Sequence, residues 1–220
     1  MNRLNGSTAD AGSPQASMPE ASGDASVTNA GFENPVLQSQ AMYRNLLDAM
    51  SRPGRIVRCD IAVEVPAPLW PTTAAAALTL LDFDTPLWLD PSTSSVSPLV
   101  DYLRFHCGCP LVAAPGHAAF AVIADPQEMP PLTVFAEGSD EYPDRSATLL
   151  IQVERLDDSR GVVLRGPGIS HEQALQAKGL PGGFWQQLQA NHARFPKGVD
   201  IVLCAEDRIA ALPRSTQAEV

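Results

Sequence analysis

The stretch HCGCP (106–110) carries three side chains that bind soft metal ions: His106, Cys107 and Cys109. Zinc is held by thiolate and imidazole ligands of this kind, most often in a tetrahedral set. The spacing argues against a zinc site, because Cys-x-Cys is tighter than the usual knuckle and no second paired cluster follows. We therefore predict no metal site, and we interpret both cysteines as small apolar side chains of the core.

The glycine-bearing turn LRGPGIS (164–170) lies between a predicted strand and a predicted helix. Backbone amides of such a turn can bind a phosphate, and a helix that starts there adds a favourable dipole. The turn matches neither the GxxxxGK[ST] nor the GxGxxG phosphate-binding motif. A purely structural turn is therefore the alternative to an anion site.

Other polar side chains stand at the predicted ends of helices and strands, where binding sites are often built. In LPRST (212–216), an arginine next to two hydroxyl groups could form an anion-binding tip. Each of these cations could instead be solvated or paired with a surface carboxylate. The candidates for binding a phosphorylated small molecule are Arg104, His106, Arg165, Gly168, Arg214, Ser215 and Thr216.

The composition limits the other functions that are open to this chain. Its formal net charge of −10 argues against nucleic-acid binding, which needs clustered cations. Prolines interrupt the longest uncharged stretch, 65–81, so we predict no membrane span. No secretory signal is visible, and four sparse cysteines are typical of a reducing cytoplasm, where we place the protein. GxSxG does not occur, and we predict no catalytic residue.

The chain divides into a polar arm and one folded domain. Residues 1–30 lack aromatic residues and are predicted to be disordered, whereas 31–220 form a single domain. A helix should start at Pro35, capped by Asn34, and end at Pro53-Gly54. Four of its side chains are predicted to form one buried stripe, namely Tyr43, Leu46, Leu47 and Met50.

Helices and strands alternate along the rest of the domain. Further helices are predicted at 74–82, 100–106, 172–178 and 182–195. Strands are predicted at 55–59, 85–89, 110–114 and 118–124, with one hairpin of 146–156 and 161–166 and another of 199–206 and 208–215. The interleaving indicates an α/β fold, with a mixed sheet of about six or seven strands and flanking helices.

Six collinear stretches resemble the PhnH family, a subunit of the bacterial carbon–phosphorus lyase machinery. The resemblance covers about residues 32–220. The stretches are YRNLLDAMSRPG (43–54), LTLLDFDTPLWL (78–89), LRFHCGCPLV (103–112), LRGPGI (164–169), FPKGVDIVL (195–203) and LPRSTQAEV (212–220).

This resemblance implies a role in phosphonate breakdown. The complex to which the family belongs joins a phosphonate to the ribose triphosphate of ATP, displacing adenine. The resemblance also implies that the protein forms a homodimer and that this dimer assembles with the other core subunits. Their fold is similar to a pared-down pyridoxal-phosphate-dependent transferase, without a working cofactor site. The alternative is a stand-alone binding protein or enzyme for a phosphorylated ligand on that fold.

Two inferences from the residues accompany the resemblance. A pyridoxal enzyme needs a desolvated lysine. The chain has only Lys178 and Lys197, at a predicted helix end and in a predicted turn, so we expect no cofactor. Arg44 should point away from the buried stripe of its helix, which makes Tyr43 and Arg44 candidates for contact with a partner chain.

Overall fold

A mixed sheet of six strands, flanked by helices, forms the centre of the protein; the computed structural model describes residues 31–219. The helices are α1 (Pro35–Ser51), α2 (Pro71–Leu80), α3 (Pro91–Ser94), α4 (Ser97–Cys107) and α5 (Phe184–His192). The strands are β1 (Val57–Arg58), β2 (Leu87–Leu89), β3 (Phe120–Ile123), β4 (Thr148–Gln152), β5 (Arg155–Arg165), β6 (Gln173–Lys178), β7 (Asp200–Cys204), β8 (Arg208–Leu212) and β9 (Gln217–Glu219). The predicted α/β class is confirmed.

The central sheet has the order β1-β8-β7-β4-β3-β2. Strands β2, β3, β4 and β7 are parallel, and β8 and β1 each pair antiparallel with their neighbours. Parallel strands are usually covered on both faces, which explains why β4 reads TLLIQ and buries four consecutive side chains. The predicted C-terminal hairpin is confirmed, because β7 and β8 pair antiparallel.

Alternate side chains of the central sheet enter two different cores. On one face, Leu150 and Val202 pack with α1, α2 and α4. On the other face, Leu149 and Ile201 pack with α5 and with a second, three-stranded sheet of order β6-β5-β9. The sheet therefore separates a helical layer from a layer that combines strands with one helix.

Two predictions about the second sheet are wrong. β5 runs through the Asp-Asp-Ser-Arg-Gly segment and shifts register between Asp157 and Val162, so no hairpin joins it to β4, which belongs to the other sheet. Residues 172–178, predicted to be helical, contain the strand β6. Their helix-forming composition is overridden because β5 supplies a complete antiparallel partner.

Smaller differences concern short segments around the central sheet. Residues 110–114 contribute only one isolated bridge, Leu87 to Leu111, instead of a strand, and 55–59 contribute only the two residues of β1. The connection 125–146 contains three short 3-10 turns. The predicted disordered arm, 1–30, lies outside the described residues. Between residues 31 and 219, no helix combines the length and apolar character needed to cross a membrane.

α1 starts as the sequence predicts but buries a different stripe. The Asn34 side chain accepts a hydrogen bond from the Leu37 amide, and proline occupies the first turn. The buried residues are Met42, Leu46 and Ala49, whereas Tyr43 is 49% exposed and Leu47 51% exposed. The predicted stripe is thus wrong in including these two, because α1 turns its Met42 side towards the alanine-rich α2.

Two glycine turns pack against each other where α1 ends, and we call this contact the glycine junction (residues 51–54 with Gly166–Gly168). Gly54 has φ +78°, and a Cβ there would lie 2.5 Å from Leu164 Cδ1. Gly168 has φ +85°, and its Cβ would lie 2.2 Å from the Ser51 carbonyl oxygen. The Gly54 amide also donates to Ala211 of β8 at 3.0 Å. The end of α1 is therefore held against both sheets by close contacts that leave no room for a larger residue at either glycine.

Replacing Gly168 with alanine should strongly destabilise the protein. The positive φ alone costs an L-residue about 1–3 kcal/mol, and the clash with Ser51 adds to that cost. Gly182→Ala is the matched control, because a Cβ there meets nothing within 4 Å. Urea unfolding measures both variants, and equal midpoints would show that the junction does not constrain the fold.

Candidate functional site

The six sequence stretches gather at two places in the structure. The glycine junction unites four of them: Gly168 lies against Ser51, Gly166 lies against the Ser215 carbonyl, and Arg214 pairs with Asp200. The other two meet where α4 ends: the Leu87 amide donates to the Pro110 carbonyl at 2.8 Å. Segments far apart in the chain therefore build two surfaces.

Arg214 is tied into the structure at the junction. Its backbone amide and Nε donate to Asp200 Oδ1 at 2.8 and 3.1 Å, and Nη2 donates to Oδ2 at 2.5 Å. Nη1 donates to the Pro143 carbonyl. Both partners of the ion pair are largely buried, with side chains 16% and 14% exposed. Asp200 thus fills the position that an anion would take in the predicted tip.

The two hydroxyl residues beside Arg214 differ in their surroundings. Thr216 is fully buried, and its amide donates to the Pro213 carbonyl at 2.8 Å. Among the described residues, its Oγ1 has no hydrogen-bond partner. Ser215 is half-buried, and its carbonyl faces Gly166. The LPRST segment therefore serves chiefly to hold the junction together.

Arg165 also has carboxylate partners. Its Nε donates to Glu219 at 2.6 Å, and Nη2 donates to Glu172 at 3.0 Å. The hydrogen bond and charge of Glu219 raise the pKa of Arg165 above its ordinary value. The helix predicted to follow this turn is the strand β6, so no helix dipole supports an anion at Gly168.

A shallow cavity of about 230 Å³ adjoins Gly168 and contains two arginines that were not among the predicted site residues. Arg52 and Arg55 both line it, together with Ser170 and Glu172. Their signal in the sequence is the Arg-Pro-Gly-Arg spacing, because a Pro-Gly turn brings the residues at both ends to one side. Arg52 also pairs with Asp48 one helical turn before it.

Arg104 lines a larger cavity of about 660 Å³ beside the edge strand β2. The volume lies in the range of small-molecule sites. Arg104 is exposed and makes no ion pair with any carboxylate of residues 31–219. Trp88 gives the cavity an aromatic wall, and Glu128 gives it one acidic group. The remaining lining residues are Leu89, Pro91, Ser94, Val100, Leu111, Val112, Ala113, Pro115 and Pro130.

His106 does not line the cavity that contains Arg104. Its ring centre lies 4.5 Å from that of Tyr102 and 5.0 Å from that of Phe105. A Cβ on Gly31 would lie 2.6 Å from His106 Cε1. Residues i and i+2 of a helix point in different directions, which separates His106 from Arg104. The seven predicted residues therefore divide between α4 and the glycine junction.

Sequence reasoning missed Trp88 and Glu128 for a physical reason. Trp88 sits in the central apolar run of β2, and Glu128 sits in a 3-10 turn of the long connection. Only the folded path of residues 111–115 brings them to one cavity. Within the described range, no group of three or more His, Cys, Asp or Glu side chains could hold a metal ion.

The amino-acid sequence was compared with known proteins. Residues 30–219 match the family described as "Bacterial phosphonate metabolism protein (PhnH)". The "Alpha-D-ribose 1-methylphosphonate 5-triphosphate synthase subunit PhnH" of Rhizobium meliloti (strain 1021) is 39% identical over 193 residues, which span 88% of this chain and 96% of that protein. HtxG of Stutzerimonas stutzeri, whose name refers to a C-P lyase subunit, is 35% identical over 81% of this chain and 85% of its own length.

Arg214→Ala should lower the free energy of unfolding by about 1.5–3 kcal/mol, because Asp200 loses its charge-assisted hydrogen bonds in a largely buried place. Arg165→Ala is the control, and it should cost clearly less, since its partners are about half exposed. Denaturant titration of both variants gives the comparison. If Arg165→Ala were the more harmful change, the structural role assigned to Arg214 would be wrong.

Proposed function

Because this chain belongs to the PhnH family, we propose that it is a subunit of the assembly named for its Rhizobium meliloti relative. In this role it supports formation of a ribose 1-phosphonate 5-triphosphate from ATP and a phosphonate. The observation that carries the proposal is the 39% identity over 96% of that relative, which leaves no room for a different domain in the matched region.

The surroundings of both lysines argue against a Schiff-base centre in this subunit. The Lys178 side chain is 72% exposed, and its Nζ lies 2.6 Å from Glu154. Lys197 Nζ lies 3.0 Å from Asp140. A Schiff-base lysine needs a desolvated pocket that lowers its pKa. Lys178 is exposed, and Lys197, whose side chain is 32% exposed, pairs with an exposed carboxylate. We therefore propose the likeness to pyridoxal-phosphate-dependent transferases for the fold only, and not for the cofactor chemistry.

The exposed side of α1 supports a role in subunit contact. Val36, Tyr43 and Leu47 are 76%, 49% and 51% exposed and recur at i, i+7 and i+11, so they share one stripe. Arg44 lies beside this stripe, and Asp48 follows it one turn later. An apolar stripe with both signs of charge can pair with its own copy across a two-fold axis. We assign this α1 face (Val36, Tyr43, Arg44 and Leu47) to the homodimer seam.

A second candidate function is binding of a phosphorylated nucleoside in the Arg104 cavity. Arg104 offers a guanidinium group to phosphate oxygens, and Trp88 offers an aromatic wall to a base. The cavity volume of about 660 Å³ favours a small molecule over a peptide. This proposal concerns a ligand site on the same subunit and is compatible with the first.

Tyr43→Ser/Leu47→Ser should convert dimers to monomers, because it removes the centre of the apolar stripe. The control is Phe83→Ser, which removes a more exposed aromatic side chain, 74% exposed, from outside α1. Light scattering on purified protein gives the molar mass. A dimeric double variant would show that α1 is not the seam.

The same variants test the role in phosphonate use. In a deletion strain with methylphosphonate as the sole phosphorus source, the wild type and Phe83→Ser should restore growth, whereas Tyr43→Ser/Leu47→Ser should not. Lys178→Arg/Lys197→Arg should also restore growth. Normal growth of the deletion strain without any copy would overturn the subunit proposal.

Arg104→Ala should weaken binding of ATP by about 10- to 100-fold, the amount expected for one charge-assisted contact. Arg145→Ala is a suitable control, since Arg145 stacks on Tyr142 at 4.2 Å and lies outside the cavity. Isothermal titration calorimetry measures both affinities. An unchanged affinity in Arg104→Ala, or no binding to the wild type, would refute the ligand site.

A further inference from the structure

The Cys-Gly-Cys turn at the end of α4 holds two thiols close together. Cys107 is the last residue of α4, and Gly108 caps the helix in the left-handed region with φ 65° and ψ 5°. The Gly108 amide donates to the Arg104 carbonyl at 3.0 Å. Consecutive Cα atoms are about 3.8 Å apart, so those of Cys107 and Cys109 are separated by less than about 7.6 Å. The tight turn shortens this towards the range of about 4.4–6.8 Å that disulfides span.

The two thiols share one environment and differ in chemistry. Both are buried, with 8% and 3% of their surface exposed, yet Gly108 and Pro110 beside them are exposed. Interaction with the neighbouring Cys109 thiol, together with burial, raises the pKa of Cys107. The Cys107 thiol lowers the pKa of Cys109 against the effect of burial, and the charge of Arg104 acts in the lowering direction too. Cys109 is therefore the better nucleophile of the pair.

The other two cysteines provide a contrast. Burial raises the pKa of Cys59 to about 11 and that of Cys204 to about 12. Their thiolates are scarce near neutral pH, and thiolate is the form that reacts with oxidants. Cys204 is fully buried in the central strand β7. The pKa of Cys109 is lowered whereas those of Cys59, Cys107 and Cys204 are raised, so a reaction with an oxidant should start at Cys109.

We propose that Cys107 and Cys109 form a dithiol site that closes to an intramolecular disulfide when it reacts with a peroxide. The Cys109 thiolate attacks one peroxide oxygen, the O–O bond breaks, and hydroxide leaves, which gives a sulfenic acid on Cys109. Cys107 then attacks this sulfur, loses its proton and displaces a second hydroxide. Overall, two thiols and one hydrogen peroxide give one disulfide and two waters.

The Cys-Gly-Cys turn lies next to the wall of the cavity that contains Arg104. The Val112 amide donates to the Leu87 carbonyl at 2.9 Å, so the segment after the turn lies against β2. Leu111 and Val112 line the cavity of about 660 Å³ that also contains Arg104. A bridge between residues 107 and 109 would join the end of α4 to this cavity wall.

Mass spectrometry of the full-length, reduced protein after hydrogen peroxide treatment tests the site. The tryptic peptide 105–145 contains Cys107 and Cys109 but neither of the other cysteines. We expect this peptide to lose the mass of two hydrogen atoms and to regain it with dithiothreitol. Cys59 and Cys204 should remain free for alkylation after unfolding, which provides the control within the same molecule.

Single serine variants test the order of attack. In Cys107→Ser, Cys109 should be trapped as a sulfenic acid by dimedone, whereas in Cys109→Ser, Cys107 should remain unmodified. The proposal is overturned if the disulfide joins Cys59 to Cys204, if it links two chains, or if peptide 105–145 stays reduced while other cysteines are oxidised. It is also overturned if protein unfolded in urea forms the same bridge at the same rate.

Discussion

The packing of residues 51–54 against the Gly166–Gly168 turn is the constraint on which the rest of the structure depends. These glycines adopt positive φ angles; a Cβ on Gly168 would clash with the Ser51 carbonyl oxygen, and a Cβ on Gly54 would clash with the Leu164 and Gln173 side chains. The contact fixes the C-terminal end of α1 against β5 and β8. Helix α1 buries its Met42 side on α2 and presents its Tyr43 side outwards. The α1 face assigned to partner contact is therefore the side of the helix that points away from α2.

Two buried polar side chains, Asp90 and Gln152, connect separate parts of this fold. The Asp90 carboxylate, which is fully buried, accepts hydrogen bonds from the Thr93 amide and from the Ala124 and Asp125 amides, at 2.9–3.0 Å. It thus joins α3 to the end of β3. Gln152, also buried, accepts from the Trp70 amide and donates to the Pro68 carbonyl. Because these groups are already satisfied by the protein, they are poorly placed to act as acids, bases or ligands. The internal hydrogen bonds of these two side chains agree with a subunit whose role is to bind partner chains at its surface.

Features governed by local chemistry were predictable from the sequence. The Asn34 cap, the proline in the first turn of α1 and the hairpin of β7 and β8 follow from nearby residues and are confirmed. The strand β6 was missed because its helix-forming residues adopt the conformation that the neighbouring β5 imposes. Likewise, Tyr43 and Met42 have similar apolar character, and only the position of α2 determines which one is buried.

The candidate site was predictable only in part. Arg104 could be singled out as a cation at a helix end, but the cavity it lines depends on residues 111–115 and on Glu128, which are distant in sequence. Arg165 and Arg214 were reasonable anion ligands as isolated residues. Their carboxylate partners, Glu219 and Asp200, come from β9 and β7, and no local pattern reveals such pairings.

The central proposal is that this chain contributes binding faces to an assembly and does not itself catalyse the formation of the ribose 1-phosphonate 5-triphosphate. Reconstitution from separately purified subunits tests it most directly, with formation of the ribose 1-phosphonate 5-triphosphate from ATP and methylphosphonate as the readout. The account predicts no product from this chain alone, and product only when it is combined with the remaining subunits. Turnover by the isolated chain, or full activity of the other subunits without it, would contradict the account.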